Sequence, residues 1–449
     1  MSLIMNKELL LDIFNAALSA VDPYRAVRRA LRVEKDSLHA GGSLYGLAAF
    51  DRVVVVGAGK AASPMAAAVE DVLGDGVSGG VVIVKYGHAG RLKIVEQVEA
   101  AHPIPDEAGV SGTRRVLDLM RQADEKTLVL CLLSGGGSAL LVAPLSGITL
   151  KDKQTTTDLL LRAGATIGEL NAVRKRLSAV KGGRLAQAAF PGSVVTLILS
   201  DVIGDRLDVI ASGPTAPDNS TFVDASLVIE KYGLKAALPE RVRDLLERGA
   251  AGREPETAKS GDACFRKVQN VIVGGINEAL AAARDKAKML GIVSDMITAE
   301  LEGEARDAAR TLAQSALRTR DALRPGERRL LLSGGETTVT VRGAGKGGRN
   351  QELALAFARE IGGIEGITLL SAGTDGTDGP TDAAGAVVDG ATVTRARELG
   401  VHPEAYLGNN DSYTFFDKLD ALTGEGRHVK TGPTGTNVMD LQVMLVEGR

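Results

Sequence analysis

The chain has 449 residues, a formal net charge of −3, 44% hydrophobic, 24% charged and 3% aromatic residues. This length is more than one ordinary hydrophobic core needs and favours two domains, and the composition is that of a globular protein. The lack of a basic excess and of Trp argues against nucleic acid and membrane surfaces as partners.

The lack of a recognisable targeting signal and the low number of cysteines favour a cytoplasmic protein. No run reaches the roughly 20 apolar residues that span a bilayer, and the opening MSLIMNKELLLDIF lacks the basic region and cleavage site of a signal peptide. The two cysteines, Cys131 and Cys264, are too few for a disulfide framework. Because both lie beside apolar residues, we expect buried free thiols.

Apolar runs alternate with helical patterns along the first half of the chain. Residues 6–32 predict opening helices, and DRVVVVGAGKAASPMAAAVEDVLG predicts a strand, a glycine turn and a helix. Further strands are expected in GGVVIVKYG, IVEQVEAAHP, TLVLCLLSGGG and VVTLILSD, with helices between them. Strands that are apolar throughout predict a parallel sheet with helices on both faces, and therefore an α/β fold.

The composition turns polar near residues 250–263 and loses its periodicity, which predicts a domain boundary. We therefore expect an N-terminal domain over residues 5–258 and a C-terminal domain over residues 262–449. Strands resume at NVIVGG, GIVSDMIT, RRLLLSGGETTVTV, ITLLSAG, AGAVVDG and DLQVMLV. TTVTV alternates with period two, which favours a partly antiparallel, mixed sheet in this smaller domain.

The segment Gly57-Ala-Gly59-Lys60-Ala-Ala62 fits the dinucleotide fingerprint G-x-G-x-x-[GA] between a strand and a helix. The same geometry suits any phosphate or carboxylate, because a helix N-terminus offers free N–H donors. The next strand ends in Lys85 where a ribose-binding enzyme needs Asp or Glu, which argues against NAD. Lys60 opposes the helix dipole and so favours a bound anion, although a surface lysine is the simpler alternative.

A second glycine loop follows the strand LVLCLL. It consists of Ser134, Gly135, Gly136, Gly137 and Ser138. Successive glycines let backbone N–H groups point into one concavity, which predicts a phosphate-binding loop. The loop lacks the GK[ST] ending of a Walker A motif, and the chain has no G-x-S-x-G nucleophile elbow. A tight packing turn is the alternative interpretation.

Carboxylates follow several strands in both halves, and ligands of open α/β sheets bind beyond the carboxyl ends of strands. They are Asp201, Asp205, Glu336, Asp375 and Asp378, with Asp382 further along the last loop. If the domains face each other across a cleft, converging carboxylates suit Mg²⁺ or a base that accepts a hydroxyl proton. For Asp375 we favour a catalytic role, and for Asp378 and Asp382 the shaping of their loop.

Basic residues complete the candidate site. Lys346 and Arg349 lie in a glycine-rich loop before a helix, where they can face an anion. A second basic group is expected mostly on helix surface and contains Arg174, Lys175, Arg176, Lys181 and Arg184. His102 lies on a loop restricted by two prolines, and no His or Cys cluster has zinc spacing.

Together these stretches resemble the two-domain glycerate 2-kinase family, whose C-terminal part is called the MOFRL domain. The resemblance covers nearly the whole chain. It rests on motifs in a fixed order: VVVVGAGKA, HPIPDEAG, LLSGGGSALL, NAVRKRLSAVKGGRLA, LSDVIGD, SGPTAPD, LSGGETTVTV, GKGGRNQELAL, SAGTDGTDGPTDAAGA and GPTGTNVMDLQV. One departure is Arg176, where the family usually has His.

The resemblance implies phosphorylation of D-glycerate at its 2-hydroxyl by ATP and Mg²⁺, giving 2-phosphoglycerate. It also implies a Rossmann-like N-terminal domain, a smaller α/β domain with a mixed sheet, an active site in the interdomain cleft, and a monomer or homodimer. By motif, the family's catalytic residues correspond to Lys60, Asp201, Glu336, Arg349 and Asp375. The three carboxylates of this set are the expected metal ligands. The two glycine turns and Lys346 are the expected substrate- and phosphate-binding residues.

Two other functions stay open. The first is a hydroxypyruvate reductase that uses NAD(P)H, which the glycine fingerprint allows and Lys85 disfavours. The second is a non-catalytic protein that binds small anions, which would not need carboxylates from two domains.

Overall fold

The computed structural model of the protein describes residues 3–448 and contains two compact units. The large unit is Pro23–Val273, and the small unit takes its described residues from Met1–Asp22 and Gly274–Arg449. Helix α1 (Leu3–Ala20) opens the chain and belongs to the small unit.

The large unit continues the chain with a short antiparallel sheet and then alternating strands and helices. Its elements are α2 (Pro23–Ala30), β1 (Leu31–Glu34), β2 (Ser37–Ala40), β3 (Ser43–Gly46), β4 (Arg52–Ala58), α3 (Ala62–Leu73), β5 (Gly79–Lys85), β6 (Glu96–Ala100), α4 (Glu107–Arg121), β7 (Thr127–Leu133), α5 (Gly137–Leu140), α6 (Leu150–Arg162), α7 (Ile167–Arg176), α8 (Arg184–Ala189), β8 (Ser193–Leu199), α9 (Phe222–Lys231), α10 (Glu240–Ala250) and β9 (Val268–Gly274).

The remaining elements belong to the small unit. They are α11 (Ile276–Met289), β10 (Val293–Leu301), α12 (Ala305–Ala322), β11 (Arg328–Gly335), α13 (Arg349–Glu360), β12 (Ile367–Gly373), β13 (Gly385–Asp389), α14 (Thr392–Glu398), α15 (Pro403–Gly408), α16 (Ser412–Thr423), β14 (His428–Val429) and β15 (Asp440–Glu447).

The main sheet of the large unit has the strand order β6-β5-β4-β7-β8-β9. The pairs β4–β5, β4–β7, β5–β6 and β7–β8 are parallel, which confirms the predicted parallel sheet. Val54 and Val56 share a buried cluster with Met120 of α4, while Val53 and Val55 are buried on the opposite face. The strand order reverses between β4 and β7, and such a reversal is where Rossmann-like sheets bind their ligands.

The sheet of the small unit has the order β10-β11-β15-β12-β13-β14. Only its β10–β11 pair is parallel among the described strand pairs, so the predicted mixed sheet is confirmed. The prediction that the strand continues through TTVTV is wrong, because β11 ends at Gly335. Beyond it, Thr338 pairs with the loop before α12, and Thr340 N–H donates to the Glu304 carboxylate at 3.2 Å.

The two units differ from the predicted ranges 5–258 and 262–449 at both boundaries. Helix α1 groups with the small unit, because its apolar face is buried there and Asn6 Nδ2 donates to Thr368 Oγ1 at 2.9 Å. At the other boundary, β9 joins the sheet of the large unit and carries that unit as far as Val273. A helical period shows that a face will be buried without showing which strands will cover it.

Both cysteines are buried free thiols, as predicted. Cys131 lies in the middle of β7, where burial raises the pKa of its thiol to about 12. No helix among residues 3–448 combines the length and the apolar character needed to cross a membrane.

Candidate functional site

The turn after β4 packs against the loop after β7, and glycine is required for this close approach. A Cβ at Gly57 would lie 2.4 Å from the carbonyl oxygen of Leu132. A Cβ at Gly59 would lie 2.0 Å from Ser134 Oγ, and Gly59 has a φ of +145°. Neither position has room for a side chain. Glycine at both positions therefore allows the turn after β4 to pack against the loop after β7, at the point where the strand order reverses.

Most N–H groups of this turn already have partners within the protein. Gly59 N–H donates to Ile83 O at 3.1 Å and Lys60 N–H to Gly135 O at 2.9 Å. Ala61 N–H donates to the hydroxyl of Ser134 at 3.0 Å. The expected binding of an anion by Gly57 and Gly59 therefore has to rest on the Lys60 side chain rather than on free N–H donors.

The loop Ser134–Ser138 offers more free donors. Among the hydrogen bonds of residues 3–448, none runs from the N–H groups of Gly135 or Gly136. Gly136 is left-handed, with a φ of +85°, and a Cβ there would lie 3.0 Å from the His102 ring and 3.5 Å from Lys60 Cγ. The structure thus brings Lys60, His102 and the glycine loop together at the carboxyl ends of β4, β6 and β7.

The electrostatics of this group follow from burial next to Lys60. Burial, then the charge of Lys60, lowers the pKa of His102 to about 4, so its imidazole is neutral near pH 7. Burial raises the pKa of Asp201, which follows β8, while Lys60 opposes that shift. A carboxylate with a raised pKa beside a lysine is suited to accept a proton.

Of the predicted residues of the small unit, Glu336 contacts Arg349, the first residue of α13. Its guanidinium donates to Asp440 through Nε at 2.6 Å and Nη2 at 2.9 Å. Its Nη1 lies 2.8 Å from Glu336 Oε1. Asp440 is 1% exposed and forms the second half of an ion pair, so the guanidinium is held rigidly in place.

Asp440 was not among the residues that we identified from the sequence. It is the first residue of β15, paired with Gly335 at the end of β11 and with Gly373 at the end of β12. The strand ends that carry Glu336 and Asp375 therefore flank it. In the sequence, Asp440 is a single carboxylate at the start of an apolar strand. Only the antiparallel register shows which strand ends that carboxylate lies beside.

The loop of β12 separates its three carboxylates into different environments. Asp375 Oδ1 accepts from Thr377 N–H at 3.0 Å and lies 3.3 Å from the position of a Cβ on Gly373. Asp378 is buried and accepts from the N–H groups of Asn350 and Gln351 at 3.1 and 2.9 Å. It therefore caps α13, the loop-shaping role expected of it, and burial raises its pKa to about 6.

Asp382 and Lys346 lie apart from the Arg349 group. Asp382 accepts from the Tyr413 hydroxyl at 2.7 Å and pairs with Lys430 at 3.0 Å. The Lys346 ammonium lies 4.1 Å from the centre of the Tyr413 ring, a cation–π contact. The predicted role of Lys346 in phosphate binding therefore stays a prediction.

The three expected metal ligands are divided between the two units. Asp201 belongs to the large unit, whereas Glu336 and Asp375 belong to the small unit. Within residues 3–448 no group of three or more His, Cys, Asp or Glu side chains is arranged to hold a metal ion. Mg²⁺ commonly takes one or two protein carboxylates plus phosphate oxygens and water, and the metal-binding role of Asp375 stays a prediction.

The basic group around α7 corrects the expectation of a helix surface. Lys175, Arg176 and Lys181 are buried, and Arg176 is 0% exposed. Arg176 donates to Asp218 at 2.7 Å, and Lys175 Nζ lies 3.0 Å from the other oxygen of that carboxylate. A charge that is buried with a partner belongs to the structural core of the unit.

Comparison with known proteins agrees with this architecture. Residues 9–247 match a family described as a domain of unknown function (DUF4147), and residues 329–440 match the MOFRL family. The chain is 46% identical to the D-glycerate 2-kinase of Thermotoga maritima over 98% of both chains. It is 42% identical to the glycerate 2-kinase of Pyrococcus horikoshii over 99% of this chain and 98% of that protein.

A solved structure and a differently named relative complete the comparison. The crystal structure of glycerate kinase from Thermotoga maritima superimposes with a TM-score of 0.85 at 44% identity, covering 98% of this chain and 99% of that one. A putative hydroxypyruvate reductase of Agrobacterium vitis is 41% identical over 98% of this chain and 94% of its own length. The chain belongs to the glycerate 2-kinase family, with a MOFRL region in its C-terminal part.

Proposed function

We propose that this protein transfers the terminal phosphoryl group of ATP to the 2-hydroxyl of D-glycerate, giving 2-phosphoglycerate and ADP. Family membership over nearly the whole chain supports a kinase. The structural observation that carries the proposal is the convergence of Lys60, the loop Ser134–Ser138 and Asp201 at the reversal of strand order. Phosphoryl transfer needs positioning and charge stabilisation more than covalent chemistry, and these groups supply both.

Within the large unit, we propose that Lys60 neutralises the negative charge that develops on the transferred phosphoryl group. The free N–H groups of Gly135 and Gly136 would donate to an anionic oxygen of the acceptor or the phosphoryl group. Asp201 would accept the proton of the 2-hydroxyl, since burial makes its carboxylate more basic than an exposed one. The low pKa of His102 keeps an additional positive charge out of this group near pH 7.

Within the small unit, we propose that Arg349 and Asp375 serve the metal–nucleotide. Two arms of the guanidinium are fixed by Asp440, and the third meets Glu336, whose carboxylate is partly exposed. Asp375 would hold Mg²⁺ through its carboxylate, and the metal would neutralise charge on the phosphates of ATP. Glu336 would share that metal, or Arg349 would exchange its contact with Glu336 for a phosphate oxygen.

The direct test incubates the protein with MgATP and D-glycerate, follows ADP release and identifies the phosphoglycerate isomer by NMR. ADP together with 2-phosphoglycerate is the expected result. If ADP release with D-glycerate and Mg²⁺ is no faster than in a no-protein control, the proposal is contradicted. L-glycerate and 3-phosphoglycerate serve as matched non-substrates in the same assay.

A hydroxypyruvate reductase is the second candidate, because one similar protein carries that name and the large sheet has the Rossmann strand order. Lys85 ends β5, the strand whose terminal acidic residue would bind the ribose of NAD. The N–H groups that would meet a pyrophosphate donate within the protein instead. Oxidation of NADH or NADPH by hydroxypyruvate, measured at 340 nm, tests this candidate.

A further inference from the structure

Three cations of the large unit lie close together around α7 without a carboxylate partner among the described residues. They are Lys153, Arg174 and Lys181. Lys181 Nζ donates to the carbonyl oxygens of Ser138 at 2.8 Å and Ala211 at 3.3 Å. Uncompensated positive charge in a buried region is costly, and a bound anion would remove that cost.

The three cations act on one another electrostatically. Burial and then the charges of Arg174 and Arg184 lower the pKa of Lys153 to about 7. Burial followed by the charges of Lys153, Arg174 and Lys175 brings the pKa of Lys181 well below its usual value. The carboxylate of Asp218 is already paired with Lys175 and Arg176. The region therefore keeps an unmatched preference for negative charge.

Arg174 is the member of this group with free donors. A guanidinium carries five N–H donors. Among the described residues, the Arg174 side chain donates one long hydrogen bond, from Nε to Thr157 Oγ1 at 3.5 Å. Arg174 is half-buried, so the remaining donors of its guanidinium can reach a ligand. Burial lowers the pKa of Arg174 to about 10, which leaves it charged at neutral pH.

A chain of hydrogen bonds joins α7 to the glycine loop. The hydroxyls of Ser138 and Ser212 lie 2.9 Å apart, and Ser212 donates to Asn171 Oδ1 at 3.0 Å. The other arm of that amide, Nδ2, is buried and has no hydrogen-bond partner among residues 3–448. Asn171 and Arg174 are three residues apart on a helix, so they share a face.

The backbone beside these groups is held in an unusual conformation. Ala211 and Ser212 are left-handed, with φ of 49° and 64°, although neither is glycine. Such a conformation is strained for a residue with a Cβ and persists where the surroundings enforce it, often at ligand sites. Here Lys181 binds the Ala211 carbonyl and a Cβ on Gly137 would meet Ala211 Cβ at 3.0 Å.

We propose that Ser138, Asn171 and Arg174, backed by Lys181, form an oxyanion subsite that holds the substrate next to Lys60. The subsite rests on the proposed function, and we assign to it the carboxylate of the three-carbon hydroxy acid. Ser138 is the last residue of the glycine loop, and Gly136 of that loop lies beside Lys60. The 2-hydroxyl of this acid is on the carbon next to the carboxylate, and we assign it to the side of the subsite where Gly136 meets Lys60. A phosphoryl group has the same donor requirements and is the other source of such an oxyanion.

Calorimetric titration of the whole protein with D-glycerate and, separately, with inorganic phosphate tests the subsite without turnover. We expect D-glycerate to bind, and Arg174→Met or Asn171→Asp to weaken binding by roughly 10- to 100-fold, because each removes a hydrogen bond to a charged group. Arg121→Met, an exposed arginine of the same unit, is the control and keeps wild-type affinity. Circular dichroism and a thermal melt confirm that each variant is folded.

Proton uptake gives a second readout that a purely structural role would not produce. A bound anion favours the charged form of Lys153, whose pKa near 7 then rises, so binding at pH 7 takes up protons. Titrations in buffers of different ionisation enthalpy measure this uptake, and Lys153→Met is expected to lower it. Wild-type affinity in a folded Arg174→Met protein would overturn the proposal.

The outcomes separate this subsite from the proposed reaction. Phosphate binding that Arg174→Met weakens, without D-glycerate binding, identifies the phosphoryl group as the occupant of the oxyanion subsite. If the Arg174→Met enzyme turns over with an unchanged KM for D-glycerate, the subsite is rejected and the proposed kinase function is retained. Anion binding that both variants weaken, in a protein that never releases ADP, keeps the subsite and rejects the function.

Discussion

The guanidinium of Arg349 is bound side-on by the carboxylate of Asp440, through Nε at 2.6 Å and Nη2 at 2.9 Å. Two parallel charge-assisted hydrogen bonds fix the plane of the guanidinium as well as its position. Because Asp440 is 1% exposed, this pair is shielded from water and salt. Nη1, which meets Glu336, is the part of Arg349 that faces the partly exposed side.

Asp440→Asn is expected to lower kcat/KM for MgATP by roughly 10- to 100-fold, because the amide loses the charge and one acceptor that orient Arg349. The loss should fall mostly on kcat if Arg349 acts on the transferred phosphoryl group. Steady-state kinetics with varied ATP measure both constants. Asp295→Asn, at an exposed ion pair of the same unit, is the matched control. Unchanged kinetics in folded Asp440→Asn would show that the orientation of Arg349 is irrelevant to turnover.

Lys60→Ala should lower kcat/KM for D-glycerate by on the order of 100-fold or more, since a cation that stabilises developing charge contributes most in the transition state. Initial rates of ADP release at varied D-glycerate measure the effect. Lys126→Ala removes an exposed lysine of the same unit that pairs with Asp51 and should leave the rate unchanged. A Lys60→Ala enzyme with wild-type kcat/KM would refute the catalytic role of Lys60.

Asp201 should produce an acid limb in the pH profile of kcat/KM. A base must be ionised to accept a proton, and burial raises the pKa of Asp201 above its usual 3.8. Activity therefore falls as the pH is lowered through this raised pKa and reaches a plateau above it. Asp201→Asn should lose most of kcat and lack this limb. A profile in which wild type and Asp201→Asn differ only by a constant factor would assign the base elsewhere.

Within the loop of β12, Asp375 and Asp382 should respond differently to magnesium. Asp375→Asn removes a carboxylate that we assign to the metal and should raise the Mg²⁺ concentration for half-maximal activity at fixed ATP, by roughly tenfold or more. Asp382→Asn is the control, because that carboxylate is engaged by Tyr413 and Lys430. Titration of activity with MgCl₂ checks both variants. Equal responses would mean that Asp375 does not bind the metal.

Arg176→Met should destabilise the large unit by about 3 kcal/mol or more, because it breaks a buried ion pair and leaves part of the Asp218 charge unmatched. The pKa of the Asp218 carboxyl is held well below its usual value by Arg176 and Lys175, so this stabilisation is present at neutral pH and lost in acid. Urea unfolding at pH 7 measures the change. Arg206→Met, at an exposed pair with Asp208, should cost far less. A loss below about 1 kcal/mol would show that Lys175 alone satisfies Asp218.

Much of the large unit could be predicted because its strands are apolar throughout and their glycine turns are local. The β4 turn and the β7 loop were identified from spacing alone, and their proximity follows from parallel pairing. The antiparallel sheet β1–β3 was not identified, because its four-residue strands carry little periodicity. The helices α9 and α10 were also not identified. The strand predicted through TTVTV is wrong because alternation alone does not choose the pairing partner.

The sequence by itself determined the α/β class, the glycine turns, the family motifs and the residue types that phosphoryl transfer requires. Tertiary structure alone decided that Asp440 binds Arg349, that Arg176 is enclosed with Asp218, and that Asn171 reaches the glycine loop through Ser212. The physical reason is the separation along the chain of the groups that interact. Turn conformations and apolar periods are encoded by neighbours in the chain, whereas burial and ion pairing depend on groups brought together from distant segments, and these set the charge state of each side chain.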